Sequence, residues 1–189
     1  VLGQRHVAAA TPALLKAAAD ADEPIRLAAV KALGETVAFQ DLSAVAELLV
    51  KAGEPKQMAA AEAAVRAACA RMPDKEACAE KLVACLAQAG VAPKSALLRV
   101  LGQLGGAKAL DGIRAAIKDA NEDVRDTAMR VLCDWPETAA TPDLIAIAKS
   151  PENKKHKILA LRGYIRLIGM SEQPAGKKLA MCKEAMGLA

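Results

Sequence analysis

The sequence predicts an all-α protein built as a solenoid of stacked helical hairpins, and three observations carry that expectation. The first is composition: 53% of the chain is apolar but only 2% aromatic, and alanine accounts for 45 of the 189 residues. Ala, Leu, Lys, Glu and Arg, the strong helix formers, outnumber the β-branched and aromatic residues that favour strands. The second is apolar spacing at helical intervals, as in Leu110, Ile113, Ile117 and in Ile158, Leu161, Ile165, Ile168. The third is repetition. Ala10-Thr11-Pro12-Ala13-Leu14-Leu15 returns as Ala140-Thr141-Pro142-Asp143-Leu144-Ile145, a separation of four periods near 33 residues.

The helices follow in order. They are expected near 12–20, 23–37, 41–52, 55–72, 74–89, 93–104, 107–119, 122–134, 141–149, 152–168 and 174–186. Thr11-Pro12, Thr141-Pro142 and Ser150-Pro151 pair a capping side-chain oxygen with proline at the first helical position, where a missing N–H costs nothing. Leu42, Val45 and Leu49 mark the apolar face of the third helix, and Met58, Ala61, Val65, Ala68 and Met72 that of the fourth. Gly53, Gly90 and the Gly105-Gly106 pair sit where helices should stop. The unit from 54 to 90 departs from the pattern, with a longer turn and with Cys and Met in place of some Leu. No single pair of helices can bury its apolar face, so neighbours must stack into one continuous core, with Leu101 and Ile165 among its few large members.

Two further series share the period. Asp22-Glu23-Pro24-Ile25-Arg26, Gly53-Glu54-Pro55-Lys56, Val91-Ala92-Pro93-Lys94 and Asn121-Glu122-Asp123-Val124-Arg125 open second helices. Val1-Leu2-Gly3, Ala32-Leu33-Gly34, Val100-Leu101-Gly102 and Val131-Leu132-Cys133 close them. With its acidic turn, apolar residue, Arg and following Ala and Leu positions, the segment Asn121 to Leu132 resembles the HEAT repeats, and the resemblance spans essentially the whole chain. The stretches around Asp134-Trp135-Pro136, Asp143 to Ala148 and Ile158 to Leu167 look like HEAT segments of large, often exported, multi-domain bacterial proteins. The resemblance implies a right-handed α-α superhelix of about five hairpins, with second helices lining an inner surface. It slightly favours an exported or periplasmic parent. Val1-Leu2-Gly3 falls in the register of a second helix's end, and neither terminus carries a polar capping face, so the chain reads as part of a longer array.

Charge supplies the candidate binding surface. The formal net charge is +4, and the excess lies after residue 149, in Lys154-Lys155-His156-Lys157, Arg162, Arg166, Lys177, Lys178 and Lys183. Lys31, Arg66, Arg99 and Arg130 recur on successive second helices, with Arg26, Lys94 and Arg125 five positions earlier in three of the units. Equivalent positions of a solenoid line up, so Arg26, Lys31, Arg66, Arg99, Arg125, Arg130, Arg162 and Arg166 are the candidate surface. The same residues also suit a structural role, each Arg pairing with the acidic turn of an adjacent repeat.

Chemistry is sparsely signalled. The sequence holds no nucleophile elbow, no phosphate-binding glycine loop and no H-E-x-x-H. His6 and His156 both lie in polar, basic segments. Cys69, Cys78, Cys85, Cys133 and Cys182 lack zinc-cluster spacing and read as small buried thiols, with a Cys69–Cys78 disulfide open in an oxidising compartment. Trp135, Tyr164 and Phe39 read as packing residues. The expectation is therefore a non-catalytic scaffold that binds a protein partner or companion domains of its parent chain. It carries no cofactor, metal, membrane span or small-molecule ligand. The alternative is nucleic-acid or polyanion binding through the basic stripe. A third reading, implied by the resemblance, is a HEAT-fold enzyme, a lyase or a relative of the base-excising glycosylases.

Overall fold

The computed structural model describes residues 8–150 and 154–189. Among them are eleven α-helices, three short 3₁₀ turns and no strand. The helices are α1 (Thr11–Ala17), α2 (Glu23–Thr36), α3 (Leu42–Val50), α4 (Pro55–Arg71), α5 (Lys75–Leu86) and α6 (Val91–Leu104). They continue as α7 (Ala107–Ala116), α8 (Glu122–Cys133), α9 (Thr141–Lys149), α10 (Lys154–Met170) and α11 (Ala175–Leu188). Every helix expected from the sequence has its counterpart. Val1-Leu2-Gly3, His6 and Pro151 lie outside the described residues.

The helices pair as hairpins, α1 with α2 through α9 with α10, and α11 follows. The second helices form one continuous layer: α2 packs on α4, α4 on α6, α6 on α8 and α8 on α10. The first helices stack beside them, α3 on α5 and α5 on α7. Between the layers runs a single apolar core from Val30 and Leu33 through Leu82, Leu101 and Leu132 to Tyr164 and Leu167. No helix among the described residues is long and apolar enough to cross a membrane.

Local chemistry explains the boundaries. Asp22 caps α2 by accepting from the Ile25 N–H (3.1 Å), Asp74 caps α5 through Ala77 (2.9 Å), and Asn121 caps α8 through Asp123 and Val124. Thr11 and Thr141, expected as caps, are instead the first helical residues. Short 3₁₀ turns at Ala8–Ala10 and Thr138–Ala140 run straight into α1 and α9, and the Thr141 hydroxyl donates back to the Thr138 carbonyl (2.6 Å). Gly105 (φ 71°) and Gly106 (φ 84°) both adopt the left-handed backbone that ends α6 and turns the chain into α7.

Small residues set how closely the second helices approach. A Cβ built on Gly34 would stand 2.8 Å from the Ala64 Cα, so α2 and α4 touch backbone to backbone there. One sequence expectation fails. Leu101 is fully buried, but Ile165 is 50% exposed, because among the described residues no helix stacks on the side of α10 that carries it.

Candidate functional site

The candidate basic residues divide according to what they bind. Arg26 donates from Nη1 to the carbonyls of Asp20 (2.8 Å) and Ala21 (2.7 Å), and Arg125 does the same to Asp119 and Ala120 (both 2.8 Å). Each closes the turn inside its own hairpin by satisfying carbonyls left free at the end of the first helix. Arg66 and Arg99 are brought together by Glu62, a 12% exposed carboxylate. It accepts from Arg66 Nη2 (2.9 Å) and, in a fork, from Arg99 Nε (3.1 Å) and Nη2 (2.6 Å). Arg99 lies on α6 and Glu62 on α4, so the pair fixes one hairpin against the next. Arg130 holds Asp126 on α8 (2.7 Å).

Arg166 reaches back from α10 to the carbonyls of Trp135 (2.7 Å) and Cys133 (3.3 Å). Arg71, which sequence reasoning passed over, does the same at the end of α2, to Val37 (2.9 Å) and Gly34 (3.2 Å). Lys31 and Arg162 are exposed and make neither an ion pair nor a side-chain hydrogen bond among the described residues. The eight therefore do not form one free stripe: Arg26 and Arg125 close turns, Arg66 and Arg130 pair within their own helices, and Arg99 and Arg166 tie one hairpin to the next.

Carboxylates make further links on the other layer. Glu76 of α5 accepts from the first backbone N–H groups of α7, at Ala107 (2.6 Å) and Lys108 (2.9 Å), and Glu137 accepts from Gly106 (3.2 Å). Arg114 of α7 grips Asp143 of α9 (2.8 Å). The Glu76 and Glu137 links are invisible in the sequence, because a backbone N–H has no signature there.

The structure gathers one cluster of acid–base groups that sequence reasoning missed. The basic segment around His156 gives no hint of a cleft. Yet His156 stands 17% exposed at the edge of a cleft of about 530 Å³ between α8 and α10, lined by Glu122, Asp123, Arg125, Asp126, Met129 and Lys155. Its Nε2 lies 3.0 Å from Asp126 Oδ1, a carboxylate that only accepts, so Nε2 carries the proton. The Arg130 guanidinium, hydrogen-bonded to the other oxygen, and then His156 hold the Asp126 carboxyl down at about 2. A signal is present in the sequence: Asp126 precedes Arg130 by four residues, as Glu62 precedes Arg66.

This depression has a pH consequence. A carboxyl whose folded pKa lies below the ordinary 3.8 contributes stability above that value and loses it as pH falls toward 2. In urea unfolding, wild type is expected to exceed Asp126→Asn in stability at about pH 6, with the gap closing between about pH 4 and pH 2. A gap that stays constant across this range would show that the carboxylate does not hold these helices together.

The cysteines are free thiols. Cys69, Cys78 and Cys133 are buried, and burial first of all pushes the Cys69 and Cys133 thiols up to about 12, far from thiolate chemistry. Cys78 Sγ sits 3.4 Å from Met72 Sδ. Among the described residues no group of three or more His, Cys, Asp or Glu is arranged to hold a metal ion. Trp135 is fully buried.

An apolar cleft runs between α2 and α4. It measures about 580 Å³, is walled by Leu27, Ala59, Ala60, Ala63, Ala64 and Ala67, and has Lys31, Glu35 and Lys56 at its rim.

No protein-family model and no curated protein matches the chain. Among solved structures, it is similar to the complex of CpcE and CpcF of phycocyanin lyase from Nostoc sp. PCC7120. That match has 19% identity and a TM-score of 0.43, over 100% of this chain and 86% of the other. It is also similar to human deoxyhypusine hydroxylase in complex with glycerol, at 17% identity and a TM-score of 0.40, over 99% of this chain and 76% of the other. Both are enzymes by name, contrary to the expectation of a non-catalytic scaffold. That expectation rests on absent motifs, and motifs are contiguous strings. A solenoid instead assembles groups from successive helices, as it does with Asp126 and His156, 30 residues apart. The architecture is that of a HEAT-like helical solenoid.

Proposed function

We propose that this chain recognises a protein partner, and that the partner's chain lies in the groove between α2 and α4. The groove itself supports the reading: about 580 Å³ of space walled by Leu27 and five alanines, with charge only at the rim. Alanine walls leave the helix backbones close to the surface and offer almost no hydrogen-bonding groups. Such a groove suits the apolar face of a helical or extended segment better than a small polar molecule. The rim holds both signs of charge, Lys31 and Lys56 beside Glu35, which orients a ligand without selecting a polyanion.

A photo-crosslinking amino acid at Ala63 tests it. One discrete polypeptide adduct is expected from the native host extract, absent when the same group is placed at the exposed Lys51, and reduced at least about tenfold by Leu27→Glu. Equal labelling from both positions would dismiss the groove as a binding site.

One observation favours a second reading, a proton-transfer site at His156. The imidazole faces a solvent-filled cleft, and its Nε2 proton is held by a carboxylate that stays ionised at neutral pH. That leaves the ring oriented, the arrangement a general acid–base requires. If it serves so, His156→Gln removes turnover while leaving crosslinking at Ala63 intact.

A further inference from the structure

The unit from 54 to 90 carries Cys and Met where its neighbours carry Leu, and the fold brings three of those sulfurs together. Cys69 stands in the last turn of α4, Met72 is the residue that ends that helix, and Cys78 lies four residues into α5. Only Met72, Pro73 and Asp74 separate the two helices, so the reversal is tight and both helix ends close over the same spot. Cys78 Sγ sits 3.4 Å from Met72 Sδ. On the other side, the Cys69 and Cys78 thiols are near enough to share a hydrogen bond and to alter each other's ionisation. All three residues are buried and belong to the apolar core.

Hydrogen bonding gives little reason for such a cluster, since a thiol is a weak donor and a thioether a weak acceptor. A soft metal ion gives a better one. Thiolate and thioether sulfur select soft cations, and monovalent copper is the one that three sulfurs satisfy. Structural zinc takes four ligands in a tetrahedron, and calcium and magnesium take oxygen. Asp74, the carboxylate closest along the chain, is already engaged in capping the Ala77 N–H (2.9 Å).

A cation stands ready to balance the charge. Lys75 Nζ donates to the carbonyls of Cys69 (2.5 Å) and Ala70 (3.0 Å), which anchors the ammonium at the end of α4. Burial raises both thiols, and the Lys75 charge works against it at each. We propose that Cys69, Met72 and Cys78 form a buried binding site for Cu(I). Three copper–sulfur bonds form, the two thiol S–H bonds break, both protons leave to solvent, and copper keeps its oxidation state. One Cu(I) with two thiolates carries a single negative charge, which the Lys75 ammonium offsets. Burial does not oppose the exchange, because the incoming cation takes the place of the protons and leaves no free thiolate in the core. The cluster lies apart from the α2–α4 groove and the His156 cleft, so its test bears on neither.

The reduced 189-residue chain under argon tests the proposal. Cu(I) is supplied as its coloured bicinchoninate complex, and loss of colour reports transfer to the protein. Transfer of one equivalent is expected, with affinity at least about tenfold weaker in Cys78→Ser and in Met72→Leu. Met72→Leu conserves volume and apolar character, and helical circular dichroism of each variant checks the fold. The partly exposed Cys85 and Cys182 provide the control: the double variant Cys85→Ser, Cys182→Ser is expected to bind as wild type does. X-ray absorption at the copper edge is expected to show sulfur neighbours alone. Colour that persists with the wild-type chain overturns the proposal. So does transfer undiminished by Cys78→Ser or Met72→Leu, transfer lost in the double variant, or nitrogen or oxygen neighbours at the copper.

Discussion

Trp135→Ala is expected to lower the unfolding free energy by about 3–5 kcal/mol, a large part of the roughly 5–15 kcal/mol that holds a domain folded. The ring is fully buried where α8 gives way to α9, and its main chain is part of the same joint. The Trp135 N–H donates to the Leu132 carbonyl (3.1 Å), and its own carbonyl accepts from Arg166 Nη2 (2.7 Å). Truncation removes the largest side chain from a core otherwise built mostly of Ala, Leu and Val, and leaves a cavity that such small side chains fill poorly. Because each hairpin contacts only its neighbours, the loss falls on the seam between the fourth and fifth hairpins. Urea unfolding followed by helical circular dichroism should therefore become shallower, with α9 to α11 melting first. Trp135→Phe keeps most of the volume and is expected to cost clearly less. A change under about 1 kcal/mol for the alanine variant would mean that the ring does not fill the joint.

What is legible in the sequence, and what is not, follows the physics of each element. All eleven helices are legible, because apolar periodicity, the turns at Asp22 and Asn121 that open second helices, and Gly90 and Gly105 at stops act locally and leave local marks. Ends shift where local marks conflict with packing. Ala87, Gln88 and Ala89 are good helix formers, yet α5 stops at Leu86, and the chain closes with tight bonds from Gln88 to Cys85 and from Ala89 to Leu86.

The arginine ladder is legible as recurrence but not as partnership. Arg26 and Arg125 bind carbonyls, which no residue type announces. Glu62 finds its cross-helix partner 37 residues on, while Asp126 finds His156 30 residues on, so no fixed spacing reveals either link. Ile165 defeats sequence reasoning for a related cause: periodicity shows that a helix has an apolar side, not whether another helix covers it.

Gly163→Ala is expected to destabilise the protein by about 1–3 kcal/mol even though alanine is the better helix former by about 1 kcal/mol. Two effects oppose each other on one residue. The propensity gain acts through the unfolded chain and is the same at any interior helical glycine. The steric cost depends on what the new methyl meets, and here it meets the Cys133 carbonyl oxygen of α8 and, at 3.1 Å, a methyl of Leu144. The carbonyl is backbone and also accepts from Arg166 (3.3 Å), so it cannot swing aside without moving the end of α8. Gly169, further along the same helix, has nothing within 4 Å of where an added methyl would stand. Gly169→Ala therefore keeps the gain and is expected to stabilise by up to about 1 kcal/mol. The same chemical change thus carries opposite signs on one helix. Thermal midpoints of the two variants on either side of wild type are the expected result. A stabilised Gly163→Ala would show that α8 and α10 separate easily, which removes close approach as the reason these helices pack as they do.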